Sequence, residues 1–179
     1  MKNSTVKATA FSAMFVALIA ASAQITFPLP SGVPVTLQTL AIAVCGYVLG
    51  MKKSISSVLA YLLMGLIGLP VFSAFGAGIP VLFGKTGGFI IGFVFLVFLC
   101  GLAAAMKNKW LKIGMGLIGL VLCHLVGVLW FAYLTNMSVM AAAVLVSVPF
   151  LAKDAICVIA AALVSDRLRK ILHISVENG

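Results

Sequence analysis

The chain is organised as long apolar stretches separated by short segments that contain lysine, proline and glycine. Because a backbone in lipid must satisfy its own hydrogen bonds, apolar stretches of this length are predicted to form helices. A helix that crosses a bilayer takes about 20 apolar residues, so this chain has room for about six spans. The predicted spans are 8–25, 34–51, 54–72, 87–106, 110–135 and 148–168.

The composition supports the same class of protein. Of the 179 residues, 64% are hydrophobic and only 8% are charged, which leaves too little polar surface to cover a water-soluble core. We therefore predict an all-α membrane protein that forms a single transmembrane domain over residues 1–179. Six spans with short connections leave no room for a separate catalytic domain.

The basic residues predict the orientation of the spans. Connections that are rich in lysine and arginine stay in the cytoplasm, whereas the connections at about 26–33 and 136–146 carry neither residue. An even number of spans with both termini in the cytoplasm fits this distribution, as expected for a multi-pass protein of the cell membrane. The net charge of +9 is spread over these connections, which argues against nucleic-acid binding. The cytoplasmic basic residues are Lys2, Lys7, Lys52, Lys53, Lys107, Lys109, Lys112, Arg167, Arg169 and Lys170.

The first span allows two interpretations. Residues 1–23 begin with lysines, continue with an apolar stretch and end in Ala21-Ser22-Ala23, as a cleavable signal peptide does. The same stretch carries small side chains at four-residue spacing, which in a retained helix would let another helix approach closely. We favour the retained helix, whose small residues are Thr9, Ala13, Ala17 and Ala21.

Nothing in the sequence indicates an enzyme, a metal site or a bound cofactor. The four cysteines lie far apart within apolar stretches and do not form a CxxC pair. The segment Gly78–Thr86 resembles a phosphate-binding loop, but five residues separate its first glycine from Gly-Lys-Thr, where the motif requires four. No nucleophile–base pair is apparent either.

Two lysines depart from the cytoplasmic pattern and mark a candidate binding site. Lys85 and Lys153 fall near span ends that face outward, and Asp154 lies beside Lys153. Ionisable residues near or within a membrane are usually functional or paired. The segment from Gly84 to Gly88, which includes Gly87, opens a span with small residues whose N–H groups can approach an anion. Together these residues predict a pocket for a small solute with an acid at one end and an amide-like group at the other.

Two further features bear on this pocket. The connection from Leu69 to Lys85 contains Phe72 and Phe75 among glycines and prolines, which favours a lid that covers a ligand with aromatic faces. His124 lies in the middle of a span, where it either bonds to a neighbouring helix or belongs to a proton relay.

The chain also resembles a known family over nearly its whole length. Val33–Thr39 (VPVTLQT), Gly65–Phe72 (GLIGLPVF), the segment from Gly84 to Phe89 and Pro149–Leu151 followed by Asp154 are similar to motifs of the BioY biotin transporters. The motifs occur in the same order as in the family. Lys85 stands where the family commonly has proline.

The resemblance implies a fold, a substrate and partners. BioY proteins are six-helix substrate-binding (S) components of energy-coupling factor (ECF) transporters, and they capture biotin from outside the cell. A transmembrane coupling protein and two ABC-type ATPase subunits drive transport, and Ala13 and Ala17 match the family's docking stripe for the coupling protein. The implied substrate contacts are Lys85, Lys153 and the start of span 4 for the biotin carboxylate, Asp154 for the ureido N–H groups, and Gln38 and Thr39 for further polar contacts.

Other transport functions remain open from the residues alone. A related S component for riboflavin or thiamine would share the fold, and a solitary ion-coupled carrier would need His124 as a proton relay. A membrane protein with a structural or assembly role would need no ligand pocket.

Overall fold

The computed structural model describes residues 2–174, so Met1 and residues 175–179 of the predicted single domain lie outside the described residues. Over the described residues the chain is mostly helical, as the apolar stretches predict. The helices are α1 (Lys2–Gln24), α2 (Gln38–Leu49), α3 (Met51–Leu66), α4 (Ile79–Leu82), α5 (Gly87–Leu102), α6 (Lys109–Thr135), α7 (Val139–Val146) and α8 (Val148–Ile171).

Three of the helices in the described part of the chain are long and apolar enough to cross a membrane. They are Gly87–Ala105, Lys109–Thr135 and Val148–Ile171, where the first includes a 3₁₀ turn that continues α5. Two shorter apolar helices, Thr9–Gln24 and α2, accompany them. The protein is therefore a helical membrane protein.

The connections contain structure that the apolar pattern does not predict. The segment 136–146, predicted as a connection, contains α7, which Ser138 caps by accepting a hydrogen bond from the N–H of Ala141 (3.3 Å). The connection after α1 holds a short antiparallel ribbon of β1 (Thr26–Phe27) and β2 (Val35–Thr36). Both elements are too short to give a periodic signal in the sequence.

Helix α2 lies at the centre of the bundle, where it packs against α1, α3, α5 and α8. Ten of its twelve residues are buried, which explains why it is apolar on every side. Glycines permit the closest approaches. A Cβ on Gly46 of α2 would lie 2.6 Å from the Cβ of Cys100 on α5, so the two helices pack nearly backbone to backbone.

Lys112, counted among the cytoplasmic basic residues although it falls within the predicted span 110–135, is buried in α6. Its side chain is 2% exposed, and Nζ donates to Asp166 Oδ1 (2.6 Å) and Ser165 Oγ (3.1 Å) of α8. The backbone carbonyl of Lys112 accepts a hydrogen bond from the Tyr47 hydroxyl (3.0 Å). These contacts fasten α6 to α2 and α8 because a buried ammonium group needs compensation from its neighbours.

We expect Gly116→Ala to destabilise the bundle by about 2 kcal/mol, since the added Cβ would overlap the Tyr47 hydroxyl and overpack the α2–α6 contact. Gly114, two residues earlier in the same helix, has open space around it, so Gly114→Ala is the matched control and should be neutral or slightly stabilising. Thermal unfolding in detergent measures both. Tyr47→Phe removes the overlapping oxygen and should restore part of the stability that Gly116→Ala loses. Equal stability of Gly116→Ala and Gly114→Ala would contradict this packing.

Candidate functional site

A cavity opens between β2, α2, α5, α6 and α8 and encloses about 570 Å³ of empty space, including its open mouth. Its lining combines apolar side chains, three of them phenylalanines, with charged and polar side chains. A mostly apolar pocket with a few convergent polar groups is typical of a small-molecule site. The principal lining residues are Thr36, Gln38, Thr39, Phe89, Phe93, His124, Phe150, Lys153 and Asp154.

The carboxylate of Asp154 is the buried charge of this cavity. The residue is 5% exposed, and Lys153 Nζ lies 2.5 Å from Oδ1. The same ammonium group donates a hydrogen bond to the Thr36 carbonyl (2.5 Å), so Lys153 joins α8 to the ribbon. Although it is paired with a cation, Oδ1 accepts no well-aligned hydrogen bond from the described residues. A buried carboxylate oxygen with this free capacity favours a ligand that brings an N–H donor.

His124 supports the other carboxylate oxygen. Its Nε2 lies 3.4 Å from Asp154 Oδ2, and its Nδ1 lies 2.9 Å from Ser147 Oγ at the start of α8. The Phe89 ring meets the imidazole edge-on, with the ring centroids 5.7 Å apart. The histidine is thus bonded to neighbouring segments, which is the first of the two roles considered from the sequence.

Gln38 and Thr39 both line the cavity and are buried. Gln38 Nε2 donates to the Tyr61 hydroxyl (2.7 Å), and this hydroxyl donates to the Val71 carbonyl (3.2 Å). The amide oxygen of Gln38 accepts a hydrogen bond from Thr36 (3.4 Å). The cavity wall is therefore connected through α3 to the segment that follows it.

Lys85 lies next to the cavity and not in its wall. It is exposed and lines an outer cleft of about 700 Å³, which shares Pro34, Ser73 and Thr86 with the cavity. The structure thus separates the two predicted cations, with Lys153 inside and Lys85 beside the mouth.

Gly87 and Gly88 do not line the cavity but allow α5 to begin close to its neighbours. A Cβ on Gly87 would overlap the Leu82 carbonyl, and one on Gly88 would overlap Trp130 of α6. Trp130 donates a hydrogen bond from Nε1 to the Gly84 carbonyl (2.9 Å). This close packing brings the flanking Thr86 and Phe89 to the cavity.

Neither Phe72 nor Phe75 lines the cavity. Phe72 is fully buried over Gly65, with its ring edge-on to Tyr61, whereas Phe75 is 70% exposed. Ser73, between them, lines both the cavity and the outer cleft. The phenylalanines that line the cavity are instead Phe89 and Phe93 of α5 and Phe150 of α8. The first two are four residues apart on one face of α5, a spacing that sequence reasoning did not exploit.

Comparison with known proteins gives consistent matches over nearly the whole chain. Residues 1–174 match the model of the BioY family. The chain is 35% identical over 163 residues to the probable biotin transporter BioY of Pyrococcus horikoshii, covering 91% of this chain and 96% of that protein. It is 37% identical over 159 residues to the biotin transporter BioY of Thermotoga maritima, covering 88% and 93%.

A solved structure shares the fold. The crystal structure of the S component for biotin from an ECF-type ABC transporter superposes with a TM-score of 0.85 at 30% identity. The match covers 95% of this chain and 94% of that chain.

We expect Lys153→Met to destabilise the ligand-free protein by roughly 3 kcal/mol, because it leaves the buried Asp154 carboxylate without its cation. Adding Asp154→Asn to this variant removes the uncompensated charge and should restore part of the loss. Thermal unfolding in detergent completes the double-mutant cycle. Additive effects of the two substitutions would show that the pair is not coupled.

Proposed function

The chain belongs to the BioY family, and we propose that it binds biotin as the membrane-embedded S component of an ECF-type transporter. The observation that carries this proposal is the buried Asp154 carboxylate in the lining of a cavity that also contains Phe89, Phe93 and Phe150; its Oδ1, although paired with Lys153, accepts no well-aligned hydrogen bond from the described residues. The function is uptake of a vitamin and not an enzymatic reaction.

The chemistry of biotin complements the mixed polar and apolar lining of the cavity. Its ureido ring carries two N–H donors, for which Asp154 is the acceptor, and Gln38 and Thr39 supply further polar contacts. Its bicyclic ring and aliphatic chain are apolar and suit Phe89 and the neighbouring aromatic side chains. Burial of these groups supports affinity because it removes apolar surface from water.

We place the biotin carboxylate toward the mouth of the cavity. Thr86 and Ser73 lie where the cavity meets the outer cleft, and Lys85 lines that cleft. In this orientation Lys153 remains paired with Asp154, and Lys85 provides the positive charge that attracts the carboxylate. The first turn of α5, with Gly87 and Gly88, adds the partial positive charge of a helix N-terminus nearby.

For the whole chain we propose a single domain of six spans with both termini in the cytoplasm of the cell. In this proposal α1, α2 and α3 are the other three spans, in addition to the three long apolar helices. The ribbon β1–β2 extends α2 toward the outer side. The basic connections support this orientation. Lys112 contributes less to that argument than its sequence position suggests, since it is buried against Asp166.

The partner surface that we propose is a groove between α1 and α3. It is open to its surroundings, spans about 880 Å³ with that open space included, and is lined mainly by small side chains, including Ala13 and Ala17. Small residues let a second helix approach closely within lipid. We assign this groove to the transmembrane coupling protein, through which two ABC-type ATPase subunits drive transport.

Asp154→Asn should weaken biotin binding by about 2 kcal/mol, or roughly thirtyfold, because it replaces a charged acceptor of the ureido N–H groups by a neutral one. Ser56→Ala is the control, since this exposed hydroxyl on α3 is outside the cavity lining and bonds to the Lys53 carbonyl of its own helix. Calorimetry with the detergent-purified chain measures both affinities. Riboflavin and thiamine, tested in the same way, should not bind; tight binding of either would favour the alternative S-component specificities.

Ala13→Leu with Ala17→Leu should abolish biotin uptake by cells while leaving the affinity of the purified chain unchanged, because the added side chains fill the groove and not the cavity. Ala141→Leu, at an exposed alanine of α7, is the control. Co-purification of the coupling protein with each variant gives the direct readout. Normal co-purification with the double variant would place the partner surface elsewhere.

A further inference from the structure

The segment after α3 contains an unusual turn at the rim of the cavity. Ala74 (φ 54°, ψ 40°) and Phe75 (φ 56°) are consecutive non-glycine residues with left-handed backbone angles. Residues with a Cβ rarely adopt this conformation, so surrounding contacts must hold it. Ser73, which immediately precedes the turn, lines both the cavity and the outer cleft. The turn therefore determines where the rim of the cavity lies.

Gln24, the last residue of α1, contacts both sides of this turn. Its Oε1 accepts a hydrogen bond from the N–H of Phe75 (2.9 Å). Its Nε2 donates to the carbonyl of Phe72 (3.1 Å) and to the carbonyl of Ala20 in its own helix (3.2 Å). One side-chain amide thus uses its acceptor and both of its N–H groups to fix the turn to α1.

The remaining contacts anchor the beginning of the segment and close its turn through the backbone, where Gly76 N–H donates to the Ser73 carbonyl (3.1 Å), but they do not fasten the left-handed residues to α1. Phe72 is anchored over Gly65, and Val71 accepts a hydrogen bond from Tyr61. Within the turn, Phe72 N–H donates to the Gly76 carbonyl (3.1 Å). The Phe75 side chain is 70% exposed, so packing contributes little to its conformation.

We propose that Gln24 is a positioning residue that holds the Ser73–Phe75 rim over the cavity and thereby slows the dissociation of the bound ligand. The proposal rests on the proposed function, in which that ligand is biotin. Gln24 lines neither the cavity nor the outer cleft, so it acts through the turn. Without these hydrogen bonds the turn keeps its two backbone bonds but is no longer fastened to α1, so Ser73, Ala74 and Phe75 are free to move away from the cavity.

Gln24→Met tests this role because it keeps the length of the side chain and removes the amide. We expect biotin to dissociate from the purified variant about tenfold faster than from the wild type. Ser22→Ala is the matched control, since Ser22 Oγ bonds only within α1, to the Ile19 carbonyl (2.8 Å). Hydrogen–deuterium exchange of the peptide containing Phe75, measured without ligand, should be faster in Gln24→Met and unchanged in Ser22→Ala.

A rescue variant separates positioning from a general loss of stability. Ala74→Gly lowers the free-energy cost of the left-handed conformation. In the Gln24→Met background it should therefore slow biotin dissociation at least threefold. If Gln24→Met does not fold, Gln24→Glu replaces it, because the carboxylate keeps the acceptor for Phe75 N–H and lacks the donor to Phe72.

The outcomes distinguish this inference from the function on which it rests. If the wild type binds biotin and Gln24→Met releases it at the wild-type rate, the positioning role is wrong. Faster release with unchanged exchange at Phe75 also overturns it, since the effect would then bypass the turn. If the wild type does not bind biotin, the proposed function fails, while the exchange measurement still decides whether Gln24 holds the turn.

Discussion

The buried carboxylate of Asp154 is the constraint around which the site is built, because a negative charge inside a lipid-embedded bundle must be compensated within the protein. Compensation comes from Lys153 on the same helix and from His124 on α6. The Thr36 carbonyl holds Lys153 in place, and Ser147 holds His124. The network therefore ties the ribbon, α6 and α8 together around one wall of the cavity. The network leaves acceptor capacity on Oδ1, which a ligand N–H group can use.

Close helix packing gives this network a rigid frame. Gly88 lets α5 begin against Trp130, and Gly116 accommodates the Tyr47 hydroxyl between α2 and α6. The rim is held differently, by hydrogen bonds between single side chains, those of Tyr61 and Gln24, and a loop. A rigid wall that sets specificity and a rim that depends on few contacts suit a protein that must first retain its substrate and later release it.

Much of the fold was predictable because hydrophobic periodicity and length are strong signals in a membrane protein. The apolar stretches correspond to helices. Lys153 and Asp154, which the charge pattern marked as a candidate site, line the cavity together with Gln38 and Thr39. The sequence did not predict that Lys112, counted among cytoplasmic cations, is buried within α6. Its partner Asp166 is 54 residues away, and a sequence pattern does not show which distant residues meet.

The sequence also does not show which loop residues and glycines reach the cavity, because this too depends on contacts between distant residues. The residue types and their positions near span ends favoured a role in ligand binding for Lys85, Gly87, Gly88, Phe72 and Phe75. The structure places Lys85 in the adjoining cleft and the two glycines at helix contacts. Phe72 and Phe75 are absent from the cavity lining, since Phe72 packs over Gly65 before the turn and Phe75 is exposed within it.

Equilibrium binding of labelled biotin to the detergent-purified chain, with no other protein present, tests the central claim most directly. The account predicts saturable binding of one biotin per chain that excess unlabelled biotin displaces. A folded, monodisperse preparation that takes up no biotin would contradict it, because the cavity that Asp154 organises would then not be a biotin site.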